Sequence, residues 1–126
     1  MRKGDFLKDR AERFFKNALE LFNREEYDLS AFDLEQASQL FLKYAIWKKL
    51  GDFEKTYEIS KLLMDFEEVS SFSRRIEEFM KSHEEAISDL EIAYIKSRYL
   101  PVQFYKTQGE KMIKFVEELK EILEKE

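Results

Sequence analysis

The sequence predicts an all-α protein, an antiparallel up-and-down four-helix bundle with one additional short helix. Three observations carry that expectation. Apolar residues recur at three- and four-residue steps through most of the chain, the spacing of one helix face. No stretch alternates with the period of two that marks a half-buried strand. There are 3 glycines and 1 proline among 126 residues, too few for the turns of an all-β fold. The length fits one domain, residues 1–126, and no linker, internal repeat or low-complexity tract divides it.

The first helix starts at Asp5, a good N-cap, and its apolar face is Leu7, Ala11, Phe14, Phe15, Ala18, Leu19 and Phe22. The pattern fades at Asn23-Arg24-Glu25-Glu26. The second helix runs from about Asp28 to Leu50, with Gly51 as its C-terminal cap. It is apolar on most sides, from Ala31 and Phe32 to Ile46 and Trp47. Such a helix is central, or is shared with a second subunit. We expect both: one side in the core and another in a dimer.

Asp52 is read as the cap of a short third helix with the stripe Ile59, Leu62, Leu63 and Phe66. The serine cluster Ser70-Ser71-Phe72-Ser73 reads as a loop and a new N-cap. The spacing of Ile76, Phe79, Met80, His83, Ile87, Leu90 and Tyr94 predicts one continuous fourth helix from about Arg74 to Ser97. Thr107-Gln108-Gly109-Glu110 has the Thr-x-x-Glu form of a capping box and opens the last helix. Its stripe is Met112, Phe115, Val116, Leu119, Ile122 and Leu123.

Composition narrows the chemistry. The hydrophobic share is 44% and the charged share 39%, which describes an ordered, highly charged helical chain rather than a disordered one. A net charge of -5 argues against a general nucleic-acid coat, though a local basic patch can still meet RNA. With no cysteine, disulfides, thiolate zinc sites, iron–sulfur clusters and cysteine nucleophiles are excluded, and a reducing cytoplasm suits the chain. No apolar run approaches the ~20 residues that cross a bilayer, and Met1-Arg2-Lys3-Gly4-Asp5 leads into mixed charge, not a signal-peptide core. His83 is the only histidine, so neither paired Glu-x-x-His motifs nor a two-histidine zinc site fits within one chain. No Gly-rich phosphate loop is present. We expect no metal and no cofactor.

The stretch Tyr94-Ile95-Lys96-Ser97-Arg98-Tyr99-Leu100-Pro101-Val102-Gln103-Phe104-Tyr105 stands out. It holds the only proline, which marks a helix break near Leu100, and it gathers Lys96, Arg98 and Lys106 in an acidic chain. Arg98 is either a cation on a helix C-terminus or a phosphate-binding side chain. Tyr99, Phe104 and Tyr105 are either packing or site residues.

These residues resemble the HEPN domain family of small helical proteins, found in prokaryotes and in some larger eukaryotic proteins. Ala11 to Phe22 is similar to the family's first helix. Tyr27-Asp28-Leu29-Ser30-Ala31-Phe32, with Gln36-Ala37 and Leu42-Lys43-Tyr44-Ala45, is similar to its second. Tyr94 to Pro101 resembles its Tyr-Ile-x-x-Arg-Tyr-Pro segment, with Leu100 inserted before the proline. The resemblance implies a homodimer with the two equivalent stretches close together, RNA or a nucleotide as ligand, and in many members pairing with a small nucleotidyltransferase antitoxin. It also implies that many members are metal-independent ribonucleases, with an arginine followed four to six residues later by histidine. Carried over, Arg98 takes the arginine position and Gln103 stands where a histidine would, so both are candidate catalytic residues. Lys96, Arg98, Tyr99, Tyr105 and Lys106 are candidate nucleotide- or RNA-binding residues. Tyr105, two residues beyond Gln103, is the candidate for adenylylation.

Gln103 forms hydrogen bonds but does not titrate, whereas proton transfer by histidine contributes ~10²–10⁴-fold to such reactions. The missing histidine favours binding over catalysis. Three readings stay open: a binding module, a ribonuclease with an atypical proton carrier, and a structural bundle without a site. His83 lies fifteen residues before Arg98, about 22 Å along a continuous helix, too far to serve within one chain.

Overall fold

α1 (Asp5–Asn23) and α2 (Tyr27–Leu50) form an antiparallel hairpin. Both α1 and its partner are long enough to bury several turns, and their contacts fix the register. At one end, Asn17 donates to Asp33 at 2.5 Å and the Ser30 hydroxyl donates to the Ala18 carbonyl at 2.9 Å. At the other end Gly4 leaves room for the Trp47 indole, where a Cβ would come within 2.3 Å of the ring. The buried face of α1 is Leu7, Ala11, Phe15, Ala18 and Leu21; Phe14, Leu19 and Phe22 of the expected stripe are only half-buried, and Leu21 was not in it. The structure is a computed structural model and describes residues 4–96 and 99–126.

Gly51 ends α2 as expected. Its φ of 75° lies in the left-handed region that glycine adopts freely, and its N–H bonds to the Trp47 carbonyl at 2.7 Å. The next residues depart from expectation. Asp52 caps only the N–H of Phe53, and no helix starts there. Residues 51–58 form a non-helical strap that runs back over α2, and α3 (Ile59–Val69) begins after it. The cause is tertiary: the strap places the rings of Phe53 and Tyr57 over the Lys43 ammonium, 5.8 and 5.2 Å away.

The expected fourth helix is two helices, α4 (Ser73–Ser82) and α5 (Glu84–Lys96), with His83 at the break. The Ser82 hydroxyl bonds back to the carbonyls of Glu78 and Phe79, competing with the helix ladder. His83 turns into the bundle, where its ring meets Phe79 and Phe115 and its Nε2 bonds Glu118. The apolar spacing that passes smoothly through His83 hides this break.

α6 (Lys106–Glu124) runs alongside α2 in the same direction. Gly109 lies against Phe22 and Tyr27 near the start of α2, and Lys120 reaches the rings of Phe15 and Phe41 farther on. α2 is therefore enclosed by α1, α3, α5 and α6. Phe41, Phe66 and Phe115 are among the largest wholly buried side chains, each contributing ~1.5–3 kcal/mol by removal from water. Among the described residues all regular structure is helical. Among the described residues no helix is long and apolar enough to cross a membrane.

The buried set of α2 includes Ser30, Asp33, Glu35, Ser38, Gln39 and Lys43 as well as the apolar residues. Phe32, Gln36, Leu40, Tyr44 and Trp47 are only half-buried, so the cover of α2 is incomplete along that stripe.

Candidate functional site

α5 ends at Lys96, and the chain turns to start α6 ten residues later. On the near side the N–H groups of Tyr99 and Leu100 both bond to the Lys96 carbonyl, at 3.2 and 2.8 Å. The Val102 N–H then reaches the Leu100 carbonyl at 2.8 Å. α5 thus ends before the break expected near Leu100, and Pro101 lies in the non-helical turn, where its missing donor costs no helix bond. The segment is pinned on the far side by Phe104, which is 5% exposed and belongs to the core. Of the two readings of Phe104, packing is the one observed.

Tyr105 is the N-cap of α6, and its N–H donates to the Gln108 side-chain oxygen at 2.9 Å. The capping pair is Tyr105 with Gln108, not Thr107 with Glu110. Gln108 also donates to Asp89 at 3.3 Å, which ties the start of α6 to α5. Burial raises the Asp89 carboxyl above its ordinary range, and the Gln108 hydrogen bond opposes that shift.

Between these anchors the turn faces water. Tyr99 is 81% exposed and Tyr105 65%, while Leu100, Gln103, Lys106 and, at the end of α5, Lys96 are exposed too. Tyr99, Gln103, Tyr105 and Lys106 are thus all exposed along one short segment. Arg98, the centre of the sequence reading, lies outside the described residues. His83 is fastened to Glu118 on α6 between two aromatic rings, and its side chain is 14% exposed. Among the described residues no cluster of histidine and carboxylate side chains could hold a metal ion.

One polar feature escaped the sequence reading. Along one edge of α2, Glu35, Gln39 and Lys43 are all buried at steps of four residues. The Glu35 carboxylate accepts from Gln36 at 2.6 Å and from Gln39, whose own oxygen faces Lys43 at 3.4 Å. Burial lowers the Lys43 ammonium below its ordinary value, and the charge of Glu35 partly opposes this. Tyr57 lies over Lys43 and stacks on Tyr94 in the last turns of α5. The strip thus connects, through two rings, to the helix that delivers the candidate site. Its signal in the sequence is three polar residues four apart inside an otherwise apolar helix.

The family model for the HEPN domain matches residues 5–126. The chain belongs to the HEPN domain family. No curated protein and no solved structure gives a significant match to it. For this HEPN domain the match covers all six helices, the turn at 99–105 and the buried strip on α2. Membership supports a module directed at nucleotides or RNA, of the binding or the ribonuclease type.

Proposed function

We propose that this HEPN domain is a dimeric RNA- or nucleotide-binding module, and the HEPN half of a pair with a small nucleotidyltransferase. The observation that carries the reading is the clamped, exposed turn that presents Gln103 with Tyr99, Tyr105 and Lys106. Exposed tyrosines offer stacking surfaces to bases, and lysines offer charge to phosphates. Arg98 is assigned the phosphate contact from its place in the sequence motif.

Gln103 supports binding over cleavage. It is exposed, and an amide moves no proton near neutral pH. His83 offers no substitute while Glu118 and two rings hold it in the bundle. Exposed Tyr99 and Leu100 offer apolar surface suited to a second copy of the chain. The exposure of Tyr105 suits its hydroxyl as the acceptor of an adenylyl group from ATP, with pyrophosphate as the leaving group.

The test is RNA binding and degradation by the purified protein in EDTA, beside Arg98→Ala. Saturable binding lost in the variant, with no cleavage by either protein, is the expected result. Cleavage by the wild type alone would make the domain a metal-independent ribonuclease. Absence of both would overturn the reading.

A further inference from the structure

Between α3, α4 and α5 runs an open groove of about 700 Å³. Its floor is apolar: Met80 from α4 and Ile87, Ile92 and Ile95 from α5. Ile95 is 64% exposed and Met80 and Ile92 are half-buried, so this floor is only partly covered by the chain. Its rim is acidic, with Glu67 from α3, Glu77 from α4, and Glu84 and Glu91 from α5. Lys81 and Lys96 also line it, but Lys81 is held by Glu77 at 3.0 Å. Glu91 accepts from the Ser60 hydroxyl at 2.8 Å. The Lys81 charge also interacts with Glu84, so one lysine is shared among the carboxylates of that side of the rim.

An apolar floor inside a carboxylate rim selects its occupant. Phosphate-bearing ligands and anionic lipid surfaces meet repulsion at the rim. A second copy meets it too. A two-fold contact sets the same rim against itself, in a chain of net charge -5. A helix with apolar residues at i, i+3, i+4 and i+7, flanked by lysine or arginine, satisfies both the floor and the rim. We propose that this groove docks a basic amphipathic helix of a partner protein. The proposal does not rest on the RNA reading: the groove meets the candidate site only at Ile95 and Lys96.

The test is fluorescence anisotropy on the full chain with three synthetic 18-residue peptides: a leucine/lysine amphipathic helix, the same helix with alanine for leucine, and a leucine/glutamate helix. The leucine/lysine peptide is expected to bind, the alanine/lysine peptide at least tenfold more weakly, and the leucine/glutamate peptide not at all. Ile95→Asp should weaken binding at least tenfold, and Glu84→Lys at least threefold. Leu29→Asp, at an exposed position on α2, should stay within twofold of wild type. Equal binding of the two lysine peptides would reduce the effect to bulk charge and overturn the proposal. So would equal losses in Ile95→Asp and Leu29→Asp. Sedimentation of the protein alone supplies a further check: a dimer dissolved by Ile95→Asp and by Glu84→Lys would assign the groove to a second copy instead.

Discussion

Tyr57 stacks on Tyr94 with ring centroids 5.3 Å apart and planes 15° from parallel. The pair joins the non-helical strap to the last turns of α5, just before the candidate site. Stacked rings add ~0.5–1.5 kcal/mol beyond the area they bury. Tyr57→Ala should therefore cost about 1 kcal/mol, while Tyr57→Phe keeps the stack. Amide exchange should quicken in residues 51–58 and at the end of α5 in the alanine variant alone. Unchanged exchange there would mean that the stack holds nothing in place.

Asp33 is 8% exposed, and burial raises its carboxyl above the ordinary range while the Asn17 amide opposes the shift. A carboxyl raised in the folded state favours its neutral form there. Below the ordinary value of 3.8 both states are protonated and nothing is lost. As pH rises through the window above it, the buried charge costs stability, in full at neutral pH. Asp33→Asn should therefore melt higher than wild type at pH 7, with the difference shrinking toward pH 3. A constant difference would separate the effect from titration.

His83 closes the break between α4 and α5 by its contacts with Phe79, Phe115 and Glu118. His83→Ala removes all three and should cost about 2–3 kcal/mol in urea unfolding, from lost ring packing and a lost charge-assisted hydrogen bond. RNA binding at subsaturating urea should be unchanged. A specific loss of RNA binding in a folded variant would place His83 in the site after all.

Gln103 is exposed, and we propose that it stands at the position of the family's histidine. Gln103→His restores a group that titrates near neutrality. RNA cleavage in EDTA should rise by ~10²-fold or more over wild type. An unchanged rate would break the correspondence between this turn and the ribonuclease motif.

Much of the fold was legible because the stripes of α1, α3 and α6 pack as their spacing indicates. The stop of α2 at Gly51 follows from local chemistry at a helix end, whereas the N-cap of α1 is Gly4 and Asp5, read as the cap, is its first helical residue. What escaped depends on distant partners. The strap is held by Lys43 and Tyr94, eight or more residues from either end of it or on another helix, and no local signal at Asp52 reveals that. The break at His83 is stabilised from α6. The cap of α6 moved to Tyr105 because Gln108 is tied to Asp89 while accepting the Tyr105 N–H. At the site, the proline and the local basic residues marked the turn, but the exposure of Tyr99 and Tyr105 stayed open between packing and surface. The burial of Phe104 was not, since aromatic residues in a turn serve a core or a surface equally well.

The buried strip on α2 also bears on the order in which the chain is made. The α1–α2 hairpin leaves the ribosome before the strap, α3 and α5, which complete the cover of α2. During that interval Glu35, Gln39 and Lys43 offer water a charged and amide edge in place of bare hydrocarbon. The same three residues are then sealed as the later half arrives. A released fragment of residues 1–50 should accordingly aggregate less than the same fragment carrying leucine at all three positions.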